Sequence, residues 1–386
     1  MKYDFDQVID RHNTYSTQLD YAADRFGRGD VLPFSISNTD FAVPDNVLER
    51  LKQRIEHPIY GYTRWNNPEY KESIINWFKN RGGSTVRADW ISYSPSVVFS
   101  IASFIRMMSE PADTVAVFTP MYDAFYSVII QNDRNLAPIP LGSAYDGYGI
   151  DWDTLSTILA QKRTKILLLT NPHNPSGKVF TTEELEKIVQ LCNTYGVFII
   201  SDDIHRDIVF EPNKYVPITD ITQINVVLCC SCSKTFNTPG LIGSYIIEPE
   251  QKLTERFLVE LKGKNALSSA SIFGMEAQIA AYWDGEYVEQ MVDYVHKNMQ
   301  VVKDFFANNS WNIKFAMPEG TYLAWIDVRE CKYDSKELQH LLVNKGKVGI
   351  MSGENYGQSD FLRMNVACPL VKVKKGLEGV ELALTD

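Results

Sequence analysis

The sequence has no excess of basic residues and no long apolar run, and each absence excludes a class of protein. Its 386 residues include 38 Lys and Arg against 48 Asp and Glu, which gives a formal charge of −10. This balance argues against a nucleic-acid partner, because phosphate binding needs clustered cations. No apolar stretch approaches the roughly 18 residues that a membrane span needs, and residues 1–6 lack the apolar segment of a secretory signal. We therefore expect a soluble, cytoplasmic protein with no membrane partner.

Cysteine is also scarce. The chain has six cysteines, which are too few in a protein of this length to indicate a disulfide framework. Three of them lie within residues 229–232, a stretch that contains the C-x-x-C spacing. A zinc site would need a second Cys or His pair at matching spacing, and the sequence has none. We expect no metal site, and residues 226–230 instead favour a buried strand that runs into a loop.

Short apolar runs alternate with amphipathic segments, and this alternation predicts the fold. A helix is expected from Thr181 to Tyr195, because Thr181 and Glu184 are spaced as a capping box and Gly196 is a good terminator. A second helical stretch begins at about Tyr122. The apolar runs have the length of buried strands: 115–118, 165–170, 197–200 and 226–230. Such strands separated by helices indicate an α/β fold with a mostly parallel sheet that helices cover on both faces.

The pattern changes near residue 285, where no Gly/Ser/Pro linker intervenes. Helices are predicted at 287–308 and 335–345, and strands at 321–328, 348–351 and 361–366. We expect a large α/β/α domain at 46–284. A smaller α+β domain would combine both chain ends, 1–45 and 285–386, and a cleft would separate the two.

Four polar features coincide with the predicted strands, and open α/β sheets bind ligands at the carboxyl ends of such strands. Asn174 lies in a turn with two Asn-Pro steps, and Asp202 leaves a buried strand, where a carboxylate needs a cationic partner. Lys234 follows another strand between two hydroxyl residues, a setting in which desolvation makes lysine a nucleophile. Arg363 interrupts an apolar strand and requires an anion. Each alone also has an ordinary explanation, such as a tight turn, a structural ion pair or a surface lysine.

The four residues occur in the order Asn174, Asp202, Lys234 and Arg363, with separations of 28, 32 and 129 residues. In this order, and with the motifs around them, the sequence resembles the fold-type-I pyridoxal 5′-phosphate (PLP) enzymes, the aspartate aminotransferase superfamily. The similarity extends over nearly the whole chain and indicates the C–S lyase branch, that of cystathionine β-lyases and cysteine-S-conjugate β-lyases. The supporting motifs are residues 40–41, 57–62, 93–97, 119–125, 233–237 and 320–325. Three residues depart from the pattern usual in that branch: Asn38, Asp203 and Ser352.

The resemblance implies a role for each of the four residues. Lys234 carries PLP and, once freed by the substrate amine, takes the substrate's α-proton. Asp202 pairs with the pyridine nitrogen, Asn174 donates to the ring's phenolic oxygen, and Arg363 binds the substrate α-carboxylate.

The resemblance also implies contacts from other residues. Tyr122 stacks on the cofactor ring, and both Tyr122 and Asn174 border the substrate as well. The phosphate group lies at a helix N-terminus, on the backbone N–H groups of Val97 and Val98, with hydroxyls from Ser231 and Ser233. Tyr62 reaches the cofactor from a partner subunit, so the expected assembly is a homodimer with its active sites at the interface.

The function implied by this resemblance is a PLP-dependent carbon–sulfur β-lyase. It would convert L-cystathionine or a related cysteine S-conjugate into a thiol, pyruvate and ammonia. An aminotransferase of class I/II uses the same residues up to removal of the α-proton and stays open as an alternative. A PLP-binding regulatory protein is a third possibility, disfavoured as a sole role because the lysine and its partners are intact. His205 and Tyr60 receive no assignment, since a buried histidine more often belongs to the core.

Overall fold

The computed structural model describes residues 2–307 and 310–385. Within these residues there are thirteen strands, numbered β1 to β13 in chain order. They are Leu32–Pro33, Ile91–Ser94, Thr114–Thr119, Asn135–Pro140, Thr164–Thr170, Phe198–Asp202, Val226–Cys230, Ser244–Ile247, Lys314–Phe315, Leu323–Asp327, Val348–Gly349, Met351–Ser352 and Phe361–Asn365.

Thirteen α-helices, α1 to α13, accompany the strands in the same part of the chain. They are Ala22–Phe26, Asp45–Glu56, Pro68–Gly82, Val97–Met108, Asp123–Ile130, Trp152–Leu159, Thr182–Tyr195, Ile218–Ile221, Gln251–Leu258, Ile272–Ala281, Gly285–Ala307, Ser335–Asn344 and Leu370–Leu384. Short 3₁₀ helices and one π-helical segment, Val259–Lys264, complete the helical structure.

A seven-stranded sheet forms the centre of the fold, with the strand order β2-β8-β7-β6-β5-β3-β4. Its pairs are parallel except those that involve β8, which runs antiparallel to both β2 and β7. Parallel neighbours need crossover connections, and the helices between the strands supply them. The carboxyl ends of β5, β6 and β7 therefore lie at the same edge of the sheet.

Alternate residues of the central strands contribute to two separate hydrophobic cores. On β5, Ile166 and Leu168 belong to a core that includes α4, α5 and α9, whereas Leu167 and Leu169 belong to a larger core that includes α3, α6, α7 and α10. Because side chains alternate across a strand, this division places helices on both faces. The predicted α/β/α arrangement is confirmed.

Two smaller sheets lie outside the central one. An antiparallel sheet has the order β12-β13-β10-β9, and β1 pairs in parallel with β11. Residues 32–33 thus contact a strand more than three hundred positions later. The division into domains at 46–284 and at the two chain ends stays a prediction. No helix in the described part of the chain is both long enough and apolar enough to cross a bilayer.

The predicted elements agree with the structure, apart from their ends and from one strand that is divided in two. The strand at 226–230 has the expected bounds, and the capping box of Thr181 and Glu184 is present with Gly196 as the left-handed C-cap. The strand expected at 348–351 is in fact two short strands in different sheets, β11 and β12. The last residue of the helix predicted at 287–308 lies outside the described residues, and the helix begins two residues earlier, at Gly285.

Candidate active site

A cavity of about 230 Å³ lies at the carboxyl ends of β5, β6 and β7. It is bordered by the ends of these strands, by the start of α4 and by the residue that precedes α5. All eight cofactor-site residues predicted within one chain line it: Val97, Val98, Tyr122, Asn174, Asp202, Ser231, Ser233 and Lys234. Residues spread over more than 130 positions thus meet at the sheet edge where ligands are expected.

The start of α4 supplies backbone donors to the cavity. Ser96 is the N-cap, and its hydroxyl accepts the Phe99 N–H at 3.1 Å. The first N–H groups of a helix have no partner within it, so Val97 and Val98 bring two such groups to the cavity wall. Ser231 and Ser233 line the same cavity, and the Ser231 hydroxyl donates to the Gly243 carbonyl at 2.6 Å. The helix N–H groups and the Ser233 hydroxyl suit an anion, and the Ser231 hydroxyl would join them once it turned away from the Gly243 carbonyl.

Asp202 is the last residue of β6 and is 5% exposed. Its carboxylate accepts the Ile204 N–H at 3.2 Å, and none of the ion pairs described in the structure includes it. Burial raises its pKa to about 7, an effect that the neighbouring Asp203 reinforces and Lys234 opposes. A buried carboxyl in this condition favours a cationic or N–H partner from a ligand.

Lys234 is half-buried and lines the cavity together with Asp202, and its Nζ donates to the Ser37 carbonyl at 2.5 Å. Its pKa is lowered to about 8, mainly by burial and in addition by the charge of Arg363, while Asp202 and Asp123 act in the opposite direction. A lowered pKa increases the neutral fraction at physiological pH, and only the neutral amine is a nucleophile or a base.

Arg363 lies on β13, where it is 4% exposed and has only neutral acceptors. Its guanidinium donates to the Asn174 side-chain oxygen at 3.1 Å and to the Ser35 carbonyl at 2.8 Å, while Nε has no partner among the residues that the structure describes. Its Cζ lies 4.3 Å from the centre of the Tyr356 ring. A permanently charged group without a carboxylate partner is prepared for an anionic ligand.

Of the two tyrosines predicted to contact the cofactor, one lines the cavity and the other lies outside it. Tyr122, directly before α5, lines the cavity, and burial raises its pKa. Tyr62 is 99% exposed and does not border the cavity of its own chain. The contribution predicted for it from a partner subunit stays a prediction.

The sequence reasoning left one residue of the site, His205, without a role and missed several others. His205 is 1% exposed and lines the cavity with its Nδ1 enclosed and unpartnered, and burial holds its pKa well below the usual range. Ser96 was detectable, since Ser before an apolar helix is a typical N-cap. Ser35 and Ser37 act through main-chain carbonyls and therefore have no signal in the sequence.

Most of the chain matches a known family. The family model for aminotransferases of class I and II matches residues 29–380. The chain belongs to the aminotransferase class I and II family. The predicted membership of this superfamily is therefore confirmed.

Individual members of this family are similar over their full length. MalY of Escherichia coli (strain K12) is 39% identical over 381 residues, which are 98% of each chain. Cystathionine beta-lyase PatB of Bacillus subtilis (strain 168) is 34% identical over 99% of this chain and 100% of PatB. The crystal structure of cystalysin from Treponema denticola, which contains a pyridoxal 5′-phosphate cofactor, has a TM-score of 0.93 at 31% identity. That alignment covers 100% of this chain and 99% of cystalysin. The predicted resemblance to the C–S lyase branch is confirmed.

Proposed function

We propose that the protein is a PLP-dependent carbon–sulfur β-lyase that acts on L-cystathionine or a related cysteine S-conjugate. One observation supports this most directly: a half-buried lysine with a lowered pKa shares a cavity with a buried carboxyl, next to a buried arginine, and among the described residues the carboxyl has no cation in an ion pair and the arginine has no anion. These are Lys234, Asp202 and Arg363. The similarity to cystathionine beta-lyase PatB favours elimination over amino-group transfer.

The donor set of the cavity fits PLP. The free N–H groups at the start of α4, together with Ser231 and Ser233, suit its phosphate. Asp202 suits the protonated pyridine nitrogen, because a cation there would stabilise the carboxylate that burial disfavours. Lys234 suits the aldehyde carbon, and Tyr122 offers an aromatic surface for the ring. When bound, PLP supplies an electron sink for the bond broken at the substrate's α-carbon.

Side chains of the protein bind the substrate and transfer the proton. Arg363 binds the α-carboxylate, with Asn174 holding one end of its guanidinium in place. Lys234, freed by the substrate amine, accepts the α-proton at Nζ. The bond between Cβ and sulfur breaks, the thiolate leaves, and the remaining fragment hydrolyses to pyruvate and ammonia. No second substrate is needed.

The proposed reaction is tested directly with purified protein, PLP and L-cystathionine in the absence of any oxo-acid. We expect equal amounts of thiol and pyruvate, measured with a thiol reagent and with lactate dehydrogenase. If thiol stays at background while an added oxo-acid is aminated, the protein is an aminotransferase. If neither reaction occurs although PLP binds, a regulatory role becomes the better explanation.

Lys234→Ala should lower kcat by at least about 10⁴-fold, because one group both holds the cofactor and moves the proton. Lys178→Met is the control: Lys178 is buried, even more so than Lys234, but its ammonium pairs with Glu184 at 2.8 Å, away from the cavity lining. Its loss should affect stability and leave kcat within a few-fold. Full activity of Lys234→Ala would contradict the assignment.

We also propose a cytoplasmic homodimer in which Tyr62 completes the partner's active site. Support comes from exposed apolar and aromatic residues: Ile59 is 67% exposed, Tyr62 is 99% exposed, and Ile242, which lines the cavity, is 54% exposed. Exposed apolar side chains of this size are typical of a surface that another chain covers.

Light scattering tests the dimer, and mixing two inactive variants tests the shared site. A mixed dimer of Tyr62→Ala and Lys234→Ala chains has one site with both native residues. Unfolding and refolding the two together should restore part of the activity that each lacks alone. A monomer in solution, or no gain on mixing, would contradict the proposal.

A further inference from the structure

The segment 34–38 crosses one side of the active site, and its main-chain carbonyls alternate between two sets of partners. The carbonyls of the even-numbered residues, Phe34, Ile36 and Asn38, accept from one residue, Asn365. The carbonyls of Ser35 and Ser37 accept from other side chains. We call this segment the strap.

Asn365 ends β13 and is 4% exposed. Its side-chain Nδ2 donates to the Ile36 and Asn38 carbonyls, both at 2.6 Å, and its backbone N–H donates to the Phe34 carbonyl at 3.0 Å. Its Oδ1 accepts the Ala367 N–H at 2.9 Å, which fixes the orientation of the amide. One residue therefore holds three carbonyls of the strap.

The two remaining carbonyls bind the two cations of the active site. The Ser35 carbonyl accepts from Arg363 at 2.8 Å, and the Ser37 carbonyl accepts from Lys234 Nζ at 2.5 Å. Tyr322, which is fully buried, also donates its hydroxyl to the Ser37 carbonyl, at 3.1 Å. Arg363 and Asn365 are two positions apart on β13, so they point to the same side of the sheet.

We propose that Asn365 is a positioning residue for both cations: by fixing alternate carbonyls of the strap, it directs those of Ser35 and Ser37 at Arg363 and Lys234. The inference rests on the proposed function for the roles of these cations, but the geometry concerns the chain alone. The Ser37 carbonyl of the strap is a neutral acceptor for Lys234 whenever its Nζ is free. The Ser35 carbonyl holds the Arg363 guanidinium in the position from which it also donates to Asn174.

A carbonyl acceptor stabilises the protonated lysine and so raises its pKa. The other charged groups that act on Lys234 are Asp202 and Asp123, which raise its pKa, and Arg363, which lowers it. Asn365 is neutral, so its replacement by alanine changes none of these charges. If the strap loses its anchor, the pKa of Lys234 should fall.

The experiment measures how fast the full-length, cofactor-free chain captures PLP as a function of pH, followed by visible absorbance. Only the neutral amine reacts, so the midpoint of the rate profile reports the pKa of Lys234, and the Lys234→Ala chain provides the background. We expect the midpoint of Asn365→Ala to lie about one pH unit below that of the unmodified chain, the shift typical of losing a hydrogen bond to a charged group.

Asn298→Ala is the matched control. Asn298 is 1% exposed, and its Nδ2 also donates to two main-chain carbonyls, those of Val366 and Cys368, both at 2.9 Å. Neither carbonyl accepts from Lys234 or Arg363. This variant should lose a similar amount of thermal stability while the midpoint stays unchanged. In the PLP-loaded enzyme, Asn365→Ala should raise KM for L-cystathionine about tenfold through Arg363, and Asn298→Ala should leave it within twofold.

An unchanged midpoint in Asn365→Ala, or the same shift in Asn298→Ala, would overturn the proposal. If Asn365→Ala does not fold, Asn365→Ser takes its place; it keeps one donor and should give an intermediate midpoint, while a native midpoint would count against the proposal. The midpoint does not depend on turnover. A shifted midpoint in a protein without lyase activity would reject the proposed function alone, and active lyase with no shift would reject the positioning role alone.

Discussion

Asp202 and Asp203 are consecutive buried carboxyls at the end of β6, and their surroundings differ sharply. Burial raises the pKa of each to about 7. Asp203 accepts hydrogen bonds from two hydroxyls, those of Ser201 and Tyr215, and lies beside the buried cation Arg206. Asp202 accepts only one backbone N–H and faces the cavity.

The difference shows how a binding group is distinguished from a structural one when burial and pKa are alike. The partners of Asp203 are supplied by the chain, so its desolvation is offset within the fold. The partner of Asp202 has to come from outside, because the fold surrounds the carboxyl without providing a cation in direct contact. A raised pKa by itself does not separate the two cases.

The sharpest test of this comparison replaces each carboxyl by its amide. Asp202→Asn should lower kcat by about 10²–10³-fold, because the charge that stabilises the cofactor's ring is lost, while stability is unchanged or higher. Asp203→Asn should lower the thermal midpoint and leave kcat/KM within about fivefold. Steady-state kinetics and thermal unfolding of both PLP-loaded variants measure the two effects. Equal losses of activity would remove the distinction.

A second test uses pH. Both carboxyls have a pKa near 7 in the folded chain, against about 4 when unfolded. Their contribution to stability is thus complete below about pH 4 and is lost as pH rises through about 7. We expect the urea midpoint of the cofactor-free chain to fall over this range, less steeply in Asp203→Asn. Loading with PLP should reduce only the part of this pH dependence that comes from Asp202. The same slope of urea midpoint against pH in the cofactor-free chain, in Asp203→Asn and in the PLP-loaded chain would contradict the comparison.

The smallest expected effect concerns a single hydroxyl. Tyr215→Phe removes one donor from Asp203 and should lower the free energy of unfolding by about 1 kcal/mol, with kcat/KM within twofold. Tyr195→Phe serves as the control, since Tyr195 is 40% exposed and its hydroxyl contacts only Ser156 at 3.0 Å. A large loss of activity in Tyr215→Phe would show that the surroundings of Asp203 influence the site that contains Asp202.

The sequence alone was sufficient for four adjacent parallel strands of the central sheet and for the residues from which the site is proposed. Continuous apolar runs predict buried parallel strands, and Asn174, Asp202 and Lys234 each follow such a run closely enough for the motif to be read without coordinates. The physical reason is that these signals are local: strand length, capping and turn residues act within a few positions of one another.

Only the tertiary structure decided how the site is held in position. Lys234 and Ser37 are 197 positions apart, and Asn365 is more than 320 positions from the carbonyls it fixes. These contacts use main-chain carbonyls, which every residue has, so no residue type indicates them. The sequence indicates Lys234 and Arg363 as the cations of the proposed active site. The packing of the strap against β13 determines how these two side chains are oriented.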